Sequence, residues 1–163
     1  MDTLPITKYP SSILAQKSEE ILDITPSITS LAPQMVDAMR AHDGIGLAGP
    51  QVDVRKRIII VLEDKTPYVF LNPKILKQYG GKIPEEEGCL SLPGLYVPVT
   101  RYENVEVECQ TLEGKTVRIT ASDLLARIFQ HEIDHLNGTL IIDRIGFWKR
   151  FKIRKELDKL NTT

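Results

Sequence analysis

Two cysteines, three histidines and one tryptophan are all that the 163 residues hold of those types, and aromatics make up only 6% of the chain. Two cysteines, Cys89 and Cys109, cannot form the dense disulfide framework of a small secreted protein. Long apolar runs are missing too: "RIIIVL" and "GTLII" are far too short to span a bilayer. The start, "MDTLPITKYP", lacks the basic stretch, apolar block and small-residue cleavage site of a secretory leader. A formal net charge of −1 gives no global attraction to nucleic acid, so any basic surface must be local. The expectation is a cytoplasmic protein with no DNA partner and no membrane span; an organellar copy stripped of its transit peptide would read the same way. No internal repeat or low-complexity segment interrupts the chain. Its length, with 42% hydrophobic and 26% charged residues, fits a single domain, 1–163, able to bury a real core.

What is present reads as an α+β domain. A loop and a short helix around Ser11–Leu22 are expected to lead into a helix from Thr25 to His42. Thr25 caps that helix and Pro26 fills its first position. Ile28, Leu31, Met35, Ala38 and Met39 share one face. Pro33 falls inside, so a kink or a later start is expected. Strands follow at Lys56–Glu63 and Tyr68–Asn72. Glycine and proline then punctuate the chain from Gly80 to Pro98. "NVEVECQT" alternates, with Val105, Val107 and Cys109 on one side and Glu106, Glu108 and Gln110 on the other. A turn at Glu113–Gly114 returns the chain as an antiparallel partner whose Val117 and Ile119 are apolar. Ser122 is placed to cap a helix over Asp123–Asn137 that stops at Gly138, and a last helix covers Phe147–Leu160. The predicted architecture is a set of small antiparallel or mixed sheets packed around the helix of Asp123–Asn137, with a C-terminal helix.

"IFQHEIDHLNG" holds two of the three histidines, four residues apart, with a glutamate directly after the first. On a helix, residues i and i+4 differ by about 40° of rotation, so His131 and His135 lie one above the other. Two imidazoles so placed can bind one transition metal. Glu132, turned by about 100° from His131, flanks that position, where a general base belongs. Asp134 points elsewhere. The pattern alone also fits two surface histidines on an amphipathic helix, and a third ligand decides between the readings. His42, at the end of its helix, reads better as a cation near the helix dipole. Cys89, in the glycine-flanked "EEEGCLSLPG", is the better candidate and is expected in a loop. Cys109 occupies an inward strand position and reads as a small core hydrophobe.

Three separated motifs, "GIGLAGPQ" (Gly44–Gln51), "EGCLS" (Glu87–Ser91) and "QHEIDH" (Gln130–His135), resemble those of the peptide deformylase family in the family's order. The flanking "RIIIV", "LNP" and "LPG" are similar as well, so the likeness extends to about Arg144. One position departs: the family usually has alanine where this chain has Gly49, which removes a methyl but no reactive group.

The resemblance implies a metal-dependent hydrolase that removes the N-formyl group from the initiator methionine of new polypeptides and releases formate. It implies one divalent ion per chain held by Cys89, His131 and His135, with water completing the site. The family's working ion is Fe2+, and Zn2+, Ni2+ or Co2+ are expected occupants of a purified sample. Glu132 would act as general base and then acid while water attacks the formyl carbon. The Gln51 side-chain amide and the Leu90 N–H would stabilise the oxyanion. Gly44, Gly46 and Gly49 let the backbone approach a ligand, and in the family this segment pairs with the substrate backbone, with Gly46 as the contact. No Lys-Ser/Thr follows the glycines, so they do not form a phosphate loop.

A methionine slot is expected from Ile128 and Leu124, three and seven residues before His131, with Ile45 completing the wall; the alternative is that these side chains are ordinary core. Arg127 would lay its stem across the mouth or face solvent. Glu87 is expected behind the ligands, paired with Arg101 to hold the cysteine segment.

The tail "FWKRFKIRKELDKL" sets Lys149, Arg150, Lys152, Arg154, Lys155 and Lys159 against Glu156 and Asp158, an excess of four positive charges. It divides the domain into a catalytic core, 1–145, and a basic C-terminal helix, 146–163. A solvated face explains the charge; docking on the ribosome beside the emerging nascent chain is the functional alternative. Trp148 and Phe151 are expected to anchor the tail on the domain. The protein is expected to act as a monomer. Two rival readings are a peptidase that cleaves internal bonds and a catalytically dead homologue; the latter would be expected to have lost Glu132 or Gln51, and both are present.

Overall fold

The computed structural model describes residues 3–160. The extreme ends of the expected 1–163 domain, including the last three residues of its basic tail, lie outside the described residues.

The order is a 3-10 turn (Ser12–Ala15), α1 (Pro26–Ala41), β1 (Gly46–Ala48), a 3-10 turn (Gly49–Val52), β2 (Ile58–Glu63), β3 (Thr66–Cys89), β4 (Leu92–Gln110), β5 (Thr116–Ser122), α2 (Asp123–Leu136), a 3-10 turn (Ile141–Asp143), α3 (Phe147–Lys152) and α4 (Arg154–Leu160). The strands make one fully antiparallel sheet in the order β1-β2-β3-β4-β5, not several small or mixed ones.

β2 shows how the layers arise. "IIIV" is apolar at every position, and alternation sends its side chains both ways. Ile58 and Ile60 meet α1 through Ala32, Met35 and Met39, while Ile59 and Val61 meet α2 through Ala126, Phe129 and Ile133. A strand covered on both faces needs no polar side. Val105, Val107 and Cys109 of β4 point into the α2 layer, as their alternation predicts. α2 is therefore buried along most of its length, from Ala126 to Leu136.

Several expectations need correction. Pro33 lies within an uninterrupted α1. It faces solvent, where water can serve the carbonyl that loses its amide partner. Neither Thr25 nor Ser122 makes a side-chain cap bond; the Thr25 hydroxyl pairs with Ser27 Oγ at 2.7 Å instead. The segment Gly80–Pro98 is not irregular but the far end of a long β3–β4 ribbon. Over Lys82–Cys89, β3 pairs with β4 alone, because β2 pairs with β3 only as far as Leu71 and β5 ends opposite Asn104. The outer edges there are open, so Pro84 and Pro98 need forfeit no bond within the ladder. Register shifts at four places bend the ribbon. The C-terminal helix is two short helices, broken at Ile153.

Trp148 and Phe151 do not anchor the tail: they are 76% and 59% exposed, and Phe147 beside them is 74% exposed. Leu157 takes that role, buried with Leu14, Leu92, Leu140 and Ile142. No helix among the described residues is long and apolar enough to cross a membrane.

Candidate metal centre

α2 places His131 and His135 on one face, and the β3–β4 ribbon brings Cys89 to them. Cys89 ends β3 at a two-residue turn, Leu90–Ser91, and pairs across it with Leu92. The expected free loop is thus a hairpin end, and its ladder fixes where the sulfur points. One donor atom from each of the three residues falls within 4.8 Å of the other two, so the trio can hold a metal ion. Cys89 Sγ lies 3.3 Å from His135 Nε2, which is 3.2 Å from His131 Nε2. His131 Nδ1 is 3.0 Å from Glu87 Oε2, which assigns the ring proton to Nδ1 and leaves Nε2 as a lone pair.

Three lone-pair atoms that face one another repel unless positive charge lies among them. The electrostatics agree. Burial opposes ionisation of the Cys89 thiol, yet the neighbouring charge of His135 and hydrogen bonds from both histidines hold it well below the usual thiol range. Burial likewise opposes a charged His131, but hydrogen bonds to Cys89 and Glu87 raise it well above the ordinary imidazole value. A divalent cation meets the same demand without protonating the rings. A soft thiolate with two imidazoles is a donor set that transition ions accept, so the residues fit such an ion.

Glu132 projects beside the trio and is buried. Burial raises its carboxyl to about 7, His131 and His135 pull the other way, and Cys89 and Glu87 push up again. Its Oε2 has no hydrogen-bond partner among the described residues. Its Oε1 lies against Gly46, where an added Cβ would come within 2.3 Å of it. Gln51 is nearly fully buried. The Ala48 N–H donates to its Oε1 at 2.8 Å, which turns its amide toward the centre. From there Nε2 donates to Ser91 Oγ at 3.4 Å and to Cys89 Sγ at 3.6 Å. Gly49 packs so closely that a Cβ would meet the Lys56 carbonyl at 2.5 Å, which is the physical correlate of its departure from alanine.

Behind the donors lies a buried charge cluster. Arg101 grips Glu87 with Nε and a terminal nitrogen at 2.9 and 3.0 Å, and its other terminal nitrogen reaches Asp134 at 2.5 Å. Hydrogen bonds and charge from His131 and Arg101 outweigh the burial of Glu87 and lower its carboxyl to about 2. Arg127 lines the cleft and does not face solvent. Its guanidinium bonds Glu87, Glu85 and the carbonyls of Val99 and Ile83. Asp134 and Arg144 also belong to this cluster, and sequence reasoning missed their part. The visible signal was the acid directly before His135, which a helix turns by about 100° from that ligand.

Cys89, His131 and Glu132 line an open cleft of about 500 Å³, with His135 buried beneath. Gly44, Ile45, Gly46, Leu90, Leu124, Arg127 and Ile128 are among the residues that line it. Ile128 is buried, whereas Ile45 and Leu124 are 46% and 58% exposed at the rim. Lys8, Pro93 and Tyr96 join the wall without having been foreseen. The Tyr96 ring lies over Gly88, its cross-strand partner. His42 stands at the rim, at the end of α1.

Comparisons with known proteins agree with this geometry. The family model described as polypeptide deformylase matches residues 3–151. A peptide deformylase from Desulforudis audaxviator is 46% identical over 145 residues, covering 88% of this chain and 94% of its own. One from Thermodesulfovibrio yellowstonii is 44% identical, with 96% and 97% covered. Among solved structures, a plant peptide deformylase superimposes with a TM-score of 0.93 at 37% identity, covering 98% of this chain and 89% of that one. The Legionella pneumophila enzyme gives 0.91 at 36%, covering 99% and 96%. With a match over most of its length and relatives this similar, the chain belongs to the peptide deformylase family.

Proposed function

We propose that this protein hydrolyses the N-formyl amide at the initiator methionine of nascent polypeptides and releases formate. The observation that carries the reading is the convergence of Cys89, His131 and His135 beside an open cleft that Cys89, His131, Glu132 and Gln51 line.

Cys89 Sγ and the Nε2 atoms of the two histidines would hold one divalent ion, iron(II) in the cell, with zinc, nickel or cobalt in a purified sample. Bound there, the ion supplies Lewis acidity, acidifying water and offsetting negative charge on the carbonyl oxygen. Glu132 takes a proton from the attacking water and returns it to the leaving amine; its buried, unpartnered Oε2 suits that exchange. The Gln51 Nε2 group and the Leu90 N–H donate to the developing oxyanion, and one such preorganised donor is typically worth about 3 kcal/mol of the barrier. The Gln51 amide is already oriented by Ala48, so it need not reorganise during the reaction.

β1 is an edge strand bonded only to β2, so its free side can take the substrate backbone as an added strand, with Gly46 as the contact and Gly44 opening the approach. Ile128, Ile45 and Leu124 would receive the methionine side chain. Glu87 and Arg101 hold His131 and the cysteine hairpin from behind, and Arg127 supports Glu87 more than it touches substrate. All three donors come from one chain, so the site needs no residue from a second copy, and the protein would act as a single-domain monomer in the cytoplasm. The positive surface of α3 and α4 supports docking on the ribosome.

The test is turnover of a formyl-methionyl peptide and its unformylated counterpart by anaerobically purified protein. Formate from the first with no cleavage of the second is expected. Cleavage of internal bonds in the unformylated peptide would favour a peptidase and overturn the reading.

A further inference from the structure

We propose that Asp134, braced by Arg144, is a positioning residue that sets the separation between the sulfur and nitrogen donors of the metal centre. The proposal rests on the metal reading above. The donors come from two elements, since Cys89 ends β3 while His131 and His135 lie on α2. A helix bonds its backbone internally, so side chains must tie α2 to the ribbon.

One guanidinium does this at the level of the site. Arg101 of β4 holds Glu87, two residues before Cys89, and Asp134, next to His135. Glu87 in turn holds His131 at 3.0 Å. Every ligand therefore lies within two residues, or one hydrogen bond, of a group that Arg101 grips.

Asp134 is the point where that grip meets α2, and Arg144 fixes the carboxylate from its other side. Arg144 Nε donates to Oδ2 at 2.9 Å and a terminal nitrogen donates to Oδ1. Glu87, Arg101 and Asp134 are all buried, so removing one charge leaves another unpaired inside the protein. The cluster thus resists the sliding of hairpin against helix that would spread the donors. It also makes the segment after Gly138, which contributes no residue to the cleft wall, part of what holds the ion.

The cobalt(II) form reads this directly, because thiolate-to-cobalt absorption reports the sulfur–metal geometry. Asp134→Asn keeps the shape and removes the charge. It is expected to release cobalt to excess chelator about 10- to 100-fold faster than the wild type, with a shifted thiolate band, and Asp134→Glu should recover part of both. Arg144→Gln, at a half-exposed side chain, should move the release rate in the same direction. Wild-type release and spectrum in both folded variants would overturn the proposal, and if Asp134→Asn does not fold, Arg144→Gln decides alone. A wild-type chain that binds no cobalt would overturn the metal reading and this proposal with it.

Discussion

Gly46 and Glu132 share a space that admits no methyl group, and this couples the substrate edge to the proposed base. An alanine Cβ at position 46 would stand 2.3 Å from Glu132 Oε1 and 3.0 Å from Ile128 Cγ2. The carboxylate end is the softer neighbour, so it moves and the base leaves its place. Gly46→Ala is expected to lower kcat on a formyl-methionyl peptide about 100-fold, the scale of a lost general base, with the ion retained and the fold intact. Steady-state kinetics with metal analysis check this; unchanged kcat would show that Glu132 has room to spare. The two cysteines make a second residue-scale case. Burial, with the charge of Glu108, pushes the Cys109 thiol up to about 11. A thiol raised in the folded state stays protonated while the unfolded chain ionises, so the unfolded state binds fewer protons and stability falls as pH rises from about 8.5 toward 11. Cys109→Val should flatten that part of a denaturation-against-pH curve, and an unchanged slope would assign it to other groups. The histidine spacing, Cys89 and Cys109 were legible as residues. Arg101 was expected beside Glu87 and lies there, but the partners of Arg127 and Arg144 were not legible, because a guanidinium's partner is fixed by packing across elements, which no local pattern encodes.

The elements that bury one clear stripe, alternate cleanly or run apolar throughout were readable: α1 and α2, the Val105–Cys109 stretch of β4, and β2. The ribbon over Gly80–Pro98 was not. Its prolines and glycines suggest a loop by local chemistry, yet a two-stranded ribbon with open edges and shifted register accommodates them. The tail was mistaken in another way. Its bulky aromatics looked like anchors, but the chain breaks at Ile153 and seats Leu157 instead, leaving Phe147, Trp148 and Phe151 outside among basic residues. If this surface meets the ribosome, neutralising Lys149, Lys152 and Lys155 together should weaken co-sedimentation and flatten its salt dependence by about one unit of slope per lost contact, while Leu157 keeps the helix seated. Equal binding at every salt concentration would assign the charge to solvation.

Across the whole molecule, the sheet separates two apolar layers, α1 on one side and α2 on the other, and a third cluster under the ribbon's end joins the tail to the hairpin that carries Cys89. The centre lies where these parts meet, with its nitrogens on the central helix and its sulfur on the sheet's longest ribbon. Such a site is exact in geometry only while helix and hairpin keep their distance, which is why a buried network of opposite charges stands directly behind it. X-ray absorption at the metal edge, on protein loaded with one equivalent of iron(II) or cobalt(II), tests this most directly. One sulfur and two imidazole nitrogens in the first shell of a single ion are the expected result. A first shell without sulfur, or one completed by a fourth protein side chain, would contradict it.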